Sequence, residues 1–400
     1  MVQLVQRPGG LAWLRQWRDH DLIKVVTGVR RCGKSTLLEL FADDLRESGV
    51  PPQAIQRINL EDFRFRDLLT SPDQLYDHVV GNLQEQAMNY VFIDEVQQVP
   101  EFQRVLDGLF VRPDVDLYVT GSNAQLLSGD LATLLTGRYV QYPLLPLGFQ
   151  EFWTASPDTN RQECFSRYLA CGGMPYTLRL PDQEAIMTYL DGIVATALMR
   201  DVLSHKQIRD TLAFQDVVGY VADNIGNLVS VKHIADTLTS AGRRITSVAV
   251  ENYLDGLADA HLVYPVPRYD LRGKRRLARI EKYYLVDMGI RTSLLQGQFR
   301  DEGRVLENVV YLELLRRGYQ VWVGSLPTTE IDFVARQGGL TMYIQVALTV
   351  RDEQTLAREL EPLRSAPGHH QRILLTLDPE PLINHDGIAQ RNVLDWLLSA

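Results

Sequence analysis

Gly28-Val29-Arg30-Arg31-Cys32-Gly33-Lys34-Ser35 sets two glycines, a lysine and a hydroxyl at the G-x-x-x-x-G-K-[ST] spacing. Glycines let backbone N–H groups curl around a phosphate chain. A helix starting beside the lysine adds the partial positive charge of its N-terminus. In such a loop Lys34 reaches the β- and γ-phosphates of ATP and the Ser35 hydroxyl ligates Mg²⁺. Arg30, Arg31, Cys32 and Thr36 fall within the same expected binding stretch. A second group, Tyr90-Val91-Phe92-Ile93-Asp94-Glu95, is an apolar run ending in two carboxylates. Asp94 is expected to hold Mg²⁺, directly or through water. Glu95 is expected to polarise the attacking water as a general base. Taken alone, the loop also reads as a glycine turn before a helix; the acidic strand downstream argues against that.

These side chains need a strand, a loop and a helix to hold them. Leu22-Ile23-Lys24-Val25-Val26-Thr27 reads as a buried strand and residues 35–45 as a helix. The chain has 400 residues, room for two to four domains. At 45% apolar and 23% charged it has the composition of a folded soluble protein. No apolar stretch approaches the roughly eighteen residues of a membrane span. The N-terminal Leu11-Ala12-Trp13-Leu14 is too short for a leader and is followed by charge. Cys32, Cys164 and Cys171 have neither metal nor disulfide spacing. The expected location is the cytoplasm, with no membrane partner. A net charge of −9 argues against a protein that coats nucleic acid, while leaving room for a local basic patch.

Thr120-Gly121-Ser122-Asn123 follows another apolar run, Asp116-Leu117-Tyr118-Val119, and a helix ending at Thr136-Gly137-Arg138 precedes Tyr139-Val140-Gln141-Tyr142. Further on come Pro146-Leu147-Gly148-Phe149-Gln150-Glu151-Phe152 and Gly172-Gly173-Met174-Pro175. With Asn59-Leu60-Glu61-Asp62, Tyr283-Tyr284-Leu285-Val286-Asp287-Met288-Gly289 and Glu307-Asn308, the arrangement resembles a group of bacterial and archaeal AAA+ ATPases. Their C-terminal domain of unknown function looks restriction-endonuclease-like, and the resemblance covers nearly the whole chain. It implies that Asn123 or Ser122 stands at the sensor-1 position, touching the γ-phosphate or the water. It implies that Arg138 is an arginine finger reaching a neighbouring subunit, so that the protein forms oligomers. It implies that Pro175 packs on adenine, and that Arg200-Asp201 supplies a sensor-2 charge. Local readings stand beside these: Ser122 and Asn123 as helix caps, Arg138 on helix-terminal carbonyls, and a helix break at the glycine pair.

From about residue 211 to 284 the pattern is helix, short helix, helix, hairpin. Ser230 can cap residues 231–238, a turn carries Gly242, and Thr246 can cap residues 247–258. Two helices joined by a glycine turn are a helix-turn-helix signature, and the hairpin reads as a wing. Arg268, Arg272, Lys274, Arg275, Arg276, Arg279 and Lys282 crowd this hairpin in an otherwise acidic chain. With Arg243 and Arg244 they are expected to contact DNA phosphates, which position a protein without reading sequence. A solvated hairpin, or an interface with an acidic subunit neighbour, is the plainer alternative.

Near the C-terminus, Glu307 on a helix, Asp332 in Glu330-Ile331-Asp332-Phe333-Val334 and Gln345-Val346-Ala347 follow the order of PD-(D/E)xK nucleases. There carboxylates hold Mg²⁺ and a lysine positions the water. Alanine stands at the lysine position and Lys282 is the last lysine of the chain, so the expectation is a nuclease-like domain that lost its lysine. Glu307, Asp332 and Gln345 are left as a weak metal-binding set.

The sequence therefore predicts an α/β protein of four parts: an AAA+ P-loop core over 1–150, a helical lid over 151–210, a winged helix over 211–285 and a nuclease-like α/β domain over 286–400. The function expected is Mg²⁺-dependent ATP hydrolysis by an oligomer that remodels or moves along DNA, such as branched or damaged DNA. Two other readings remain: a slow ATP/ADP-gated switch with protein partners, and an ATP-dependent nuclease.

Overall fold

The computed structural model describes residues 4–123, 135–203, 206, 208–273, 275–297, 301–380 and 382–399, with backbone alone for 275–279. The helix expected from about Ala124 to Leu135 lies outside the described residues, Leu135 excepted. The chain divides into two compact units.

The first unit comprises residues up to Leu145 together with Asp259–His261. Helix α1 (Pro8–Trp17) leads into β1 (Ile23–Thr27), the phosphate loop and α2 (Lys34–Glu47). Then come β2 (Ile55–Asn59), a 3₁₀ turn (Phe63–Leu69), α3 (Pro72–Gly81), β3 (Asn89–Asp94), α4 (Phe102–Phe110), β4 (Val115–Gly121) and β5 (Tyr139–Pro143). The five strands form one wholly parallel sheet, ordered β2-β3-β4-β1-β5. All five residues of β1 and all six of β3 are buried, as expected for a parallel sheet covered on both faces. Ile23, Val25, Val91, Ile93, Leu106, Leu117 and Val119 build the core on the α3/α4 side. Helix α2 covers the other face through Leu37, Leu38, Phe41 and Leu45, and Phe41 lies 5.3 Å from the Tyr118 ring. Ligands of such sheets bind at the carboxyl ends of the strands where the strand order reverses. Here that is the end of β1, between β4 and β5.

The second unit comprises Pro146–Ala258 and Leu262–Ala400. It opens with α5 (Phe149–Ala155), α6 (Arg161–Cys171) and α7 (Gln183–Thr196), which runs into a π-helical segment, Ala197–Leu203. Next come α8 (Thr211–Asp223), the short β6 (Leu228–Val229), α9 (Val231–Ser240), α10 (Ser247–Asp259, whose last residue clusters with the first unit), and a hairpin of β7 (Val263–Asp270) and β8 (Arg275–Leu285). The predicted caps form: the Ser230 hydroxyl accepts from His233 N at 3.1 Å, and Thr246 from Ala249 N at 3.2 Å. Helices α11 (Met288–Leu294) and α12 (Glu302–Arg316) lead to β9 (Gln320–Ser325), β10 (Glu330–Gln337) and β11 (Leu340–Val346). The chain ends with α13 (Glu353–Ser365), β12 (Gln371–Thr376), β13 (Leu382–His385), β14 (Ile388–Asn392) and α14 (Val393–Leu398).

The hairpin does not stand alone. β7 pairs in parallel with β9, at Arg268–Val323, Tyr269–Gly324 and Asp270–Ser325. One nine-stranded sheet therefore runs β13-β14-β12-β11-β10-β9-β7-β8-β6. The helical segment from 146 and the hairpin both cluster with the C-terminal residues. The sheet crosses the expected boundary at 285/286.

Candidate functional site

Gly28 adopts φ 151° and a Cβ there would meet the Leu144 carbonyl oxygen at 2.2 Å, so only glycine fits the turn out of β1. Gly33 caps α2 at φ 105°, and Lys34 is the first helical residue. Arg31, also left-handed at φ 68°, lies exposed on the loop. The buried Cys32 thiol donates to Leu144 O at 3.3 Å and burial pushes its pKa up. A side chain the sequence did not single out braces the loop: Arg7, buried, donates to Cys32 O at 3.1 Å and Leu145 O at 2.6 Å.

Lys34 is buried, with its Nζ donating to Gly28 O at 3.0 Å and Val29 O at 3.3 Å and lying 3.4 Å from Glu95 Oε1. Asp94 ends β3, and burial raises its pKa against the pull of hydrogen bonds from Ser35 and Thr120. Glu95 turns out of the strand at φ 55°. Burial pushes its pKa up, but Lys34, Gln97, Arg30 and Ser122 outweigh that and leave it below the usual carboxylate value. Gln97 Nε2 and Ser122 Oγ donate to Glu95 Oε2 at 2.5 and 3.0 Å. Within the polar pair after β4, Ser122 reaches the carboxylate, and Asn123 is buried next to it. Thr120 carries no role in the sequence reading. Its hydroxyl bonds Asp94 and accepts the Glu95 N–H at 2.9 Å, holding both acids from the neighbouring strand. Its signal was the register of β4 against β3, Ile93 with Val119, which sets Thr120 beside Asp94.

The donor set fits a nucleotide phosphate chain with Mg²⁺. A glycine cradle and a helix N-terminus face a buried lysine, and the exposed Ser35 hydroxyl lies in hydrogen-bond contact with Asp94. Ser35, Thr36 and Asp94 also line a cleft of about 400 Å³ with Asn59, Asp62 and Arg64. Arg30 pairs with Glu61 at 2.8 Å. Arg138 starts the turn into β5, pairs with Asp107 of α4 and lies over the Phe110 ring, while 43% of its side chain stays exposed. The carbonyls of the helix expected before it lie outside the described residues, Leu135 excepted.

In the second unit, Gly172 and Gly173 have a packing reason. A Cβ on Gly172 would sit 2.0 Å from Asp287 Oδ1, and Gly173 N donates to Asp287 Oδ2 at 2.6 Å. Asp287 caps α11 through Ile290 N at 3.1 Å, and burial lifts its pKa to about 6. Pro175 opens the 3₁₀ turn Pro175–Arg179. Among the expected DNA contacts, Arg243 pairs with Asp216 at 2.6 Å, whereas Arg244 and Arg272 are exposed. Lys274 lies outside the described residues, as do the side chains of Arg275, Arg276 and Arg279. Arg268 donates to Ser325 Oγ at 2.7 Å within the sheet.

Lys282 corrects two expectations. It is no part of a basic tip, because its side chain is 4% exposed, and it is not absent from the acidic centre. Its ammonium lies 2.8 Å from Glu307, 2.9 Å from Glu330 and 3.3 Å from Asp332. The nuclease order places the lysine after Asp332; the fold brings one from β8, upstream. Tyr284 also bonds Glu307. Asp332 Oδ2 accepts from Val346 N at 3.0 Å, and Gln345 Oε1 accepts from Asp332 N at 3.3 Å. Gln345 Nε2 is turned away to Glu359. Burial, then the charge of Glu307, raises Asp332 well above the usual carboxylate range. Among the described residues no group of three or more His, Cys, Asp or Glu is arranged to hold a metal ion, and these carboxylates face Lys282 instead.

Residues 20–153 match the family model of an AAA domain, and residues 162–301 match a domain of unknown function (DUF8612). A Haemophilus influenzae protein is 36% identical over 99% of both chains. A Methanocaldococcus jannaschii protein is 29% identical over 78% of this chain and 71% of its own. A Walker-type ATPase of Pyrococcus abyssi has a similar fold, with a TM-score of 0.50 at 17% identity, over 73% of this chain and 96% of its own. The parallel sheet and phosphate loop are those of an AAA+ P-loop ATPase core, a fold that implies nucleotide binding. With an AAA domain at residues 20–153 and full-length likeness to the Haemophilus influenzae protein, the chain belongs to that protein's family of AAA-domain P-loop proteins.

Proposed function

We propose that the protein is a Mg²⁺-dependent ATP hydrolase. The observation that carries this reading is the convergence of Lys34, Asp94 and Glu95 at the carboxyl end of the parallel sheet. Lys34 binds the phosphates, and Ser35 and Asp94 hold the cation. Mg²⁺, when bound, screens the phosphate charge and orients the transferred group. Glu95 accepts a proton from the attacking water. Its depressed pKa keeps it ionised at neutral pH, and Ser122 and Gln97 fix its direction. Arg138 is the candidate finger in trans; it would exchange Asp107 for a neighbour's γ-phosphate, so an oligomer is part of the proposal.

The partner proposed is DNA. The order α8, β6, α9, α10 and hairpin, with β6 paired to β8, supports a winged-helix reading. Exposed Arg244 and Arg272 are available to phosphates. The nuclease-like reading of the C-terminal residues rests on Glu307, Asp332 and Lys282 coming together, with the lysine locked to the acids rather than free beside a metal. One observation favours a slow switch over a motor: Glu95 is held by a serine, a glutamine and a lysine at once.

The test is steady-state ATP hydrolysis with single-stranded, duplex and four-way-junction DNA, beside a Glu95→Gln control. Turnover stimulated by one DNA form and lost in the control is the expected result. No turnover under any condition would sink the hydrolase reading. A low rate indifferent to DNA would favour the switch.

A further inference from the structure

The phosphate loop carries two adjacent arginines, and their side chains fare differently. Arg31 is exposed, on a backbone that is left-handed at φ 68°. Arg30, the third residue of the loop, keeps only 16% of its side chain exposed, and its Nη1 donates to Glu61 Oε1 at 2.8 Å. Glu61 belongs to Asn59-Leu60-Glu61-Asp62, a group singled out in the sequence that has no part in the chemistry so far. This group leaves β2 beside the acidic end of β3. Asn59 stands in register with Asp94, and Leu60 N donates to Asp94 O at 3.3 Å. All of these residues belong to the first unit. A guanidinium rooted between Gly28 and Gly33 is thus tied to the chain that flanks Asp94.

That tie is easily exchanged. Glu61 is 47% exposed, and an ion pair with a half-exposed carboxylate contributes little to stability. On its other side the Arg30 charge reaches Glu95, where against burial, and after Lys34 and Gln97, it helps to keep the carboxylate ionised. Glu95 Oε1 is itself 3.4 Å from Lys34 Nζ. Arg30 therefore adds positive charge where Lys34 and Glu95 are assigned to the terminal phosphate. A γ-phosphate is a better partner than Glu61. It carries more negative charge, and its oxygens match the two parallel bonds that a planar guanidinium forms. ADP ends one phosphate short and offers no such partner.

We propose that Arg30 distinguishes ATP from ADP: its guanidinium leaves Glu61 for the γ-phosphate, and Glu61 is the latch that holds it otherwise. The proposal rests on the ATPase reading above and adds nucleotide specificity from within the same loop. Glu61 directly precedes the cap of the 3₁₀ turn Phe63–Leu69, where Asp62 accepts from Arg64 N at 3.0 Å. The third phosphate is thereby felt at a turn whose Phe63 is exposed.

Equilibrium affinities for ADP and for a non-hydrolysable ATP analogue, each with Mg²⁺, would be measured on the full chain beside the nucleotide-free unfolding midpoint, with Lys34→Ala as control. Arg30→Ala should bind the ATP analogue about tenfold more weakly, the loss of hydrogen bonding to a charged group, while ADP stays within about twofold. Glu61→Gln should bind the ATP analogue about two- to fivefold more tightly, with ADP unmoved, because a surface ion pair no longer competes. In the Arg30→Ala background the same Glu61→Gln change should add nothing, since the latch has lost what it holds. Equal effects of Arg30→Ala on the two ligands, or none, would overturn the proposal. So would a Glu61→Gln variant that gains no affinity for the ATP analogue. A gain that persists in the double variant would also overturn it, as the general effect of removing an acid near an anion site. Affinity lost only in step with the unfolding midpoint would make Arg30 a packing residue. If the unsubstituted protein binds neither ligand, or Lys34→Ala binds as well as it does, the ATPase reading itself fails, and that outcome is distinct from the others.

Discussion

Two of the buried lysines that face carboxylates, Lys34 and Lys282, are spent differently. Lys34 touches two backbone carbonyls and one carboxylate, at 3.0, 3.3 and 3.4 Å, at the open end of a parallel sheet. Lys282 meets three carboxylates at 2.8–3.3 Å, with a tyrosine on one of them. The first lysine keeps hydrogen-bonding capacity for a ligand and stands beside a glycine cradle that can take one. The second is saturated by its own chain. A buried charge pair becomes a site when its partners leave one charge under-compensated and a route in; otherwise it is a brace. The same residue types, lysine with aspartate and glutamate, thus support ligand chemistry in one unit and cohesion in the other.

The largest expected effect breaks the first centre. Lys34→Ala should weaken ATP binding by on the order of a hundredfold, from loss of charge-assisted phosphate bonds worth about 3 kcal/mol. Turnover should fall below detection, and the unfolding midpoint should fall only in part, because Lys34 faces one carboxylate where Lys282 faces three. Equilibrium ATP binding checks this, and unchanged affinity would remove the phosphate loop from the account. Lys282→Met should do the reverse. It strands Glu307, Glu330 and Asp332 without their cation, a loss of about 3–5 kcal/mol of stability for one broken buried ion network. Denaturant unfolding would register it, with ATP affinity unaltered. A neutral Lys282→Met would mean that the cluster is already protonated or solvated and braces nothing.

The two centres also differ in how much of them the sequence disclosed. The first unit was legible because its chemistry is local. Gly28, Gly33, Lys34 and Ser35 lie within eight consecutive residues, and Asp94 and Glu95 are adjacent. Even there, the contacts of Thr120 with both acids and of Ser122 with Glu95 depend on strand register, which a single sequence does not state. The second centre is assembled from β8, α12 and β10 by the parallel pairing of β7 with β9. That pairing joins residues more than fifty positions apart, and no turn signal announces it. The expectation of a lost lysine failed there because it assumed that the ligand order along the chain must match the order in space.

Acidity sharpens the contrast. Asp332 has its folded-state pKa raised by burial and by Glu307, so the native state holds a proton that the unfolded chain has released. The sign follows from linkage: this stabilisation is complete below the unfolded value near 4 and is lost as pH climbs through the raised native value. Glu95 runs the other way, with a native pKa below its unfolded one; its contribution is present above about pH 4.3 and lost as pH falls through the native value. Comparing unfolding midpoints of the native protein and Asp332→Asn from pH 4 to 8 tests this. The native protein should lose stability relative to the variant as pH rises, by about 1 kcal/mol or more across the range. A parallel pair of curves would show that Asp332 does not titrate there.

The smallest effect concerns the direction in which Glu95 is held. Ser122→Ala removes one of two side-chain hydrogen bonds to Oε2 and leaves Gln97 in place. A hydrogen bond of this kind contributes about 0.5–1.5 kcal/mol, so turnover should change by roughly two- to tenfold rather than vanish. The two functional readings assign opposite signs. If Ser122 aims the base at water, its loss lowers kcat with little change in KM, because the ground state of the nucleotide complex is untouched. If Ser122 restrains the base, its loss raises kcat. The hydrolase reading predicts the fall, and because Gln97 still holds the same oxygen at 2.5 Å the change should be small. A rise in kcat would make the contacts around Glu95 a latch and move the protein into the class of nucleotide-gated switches.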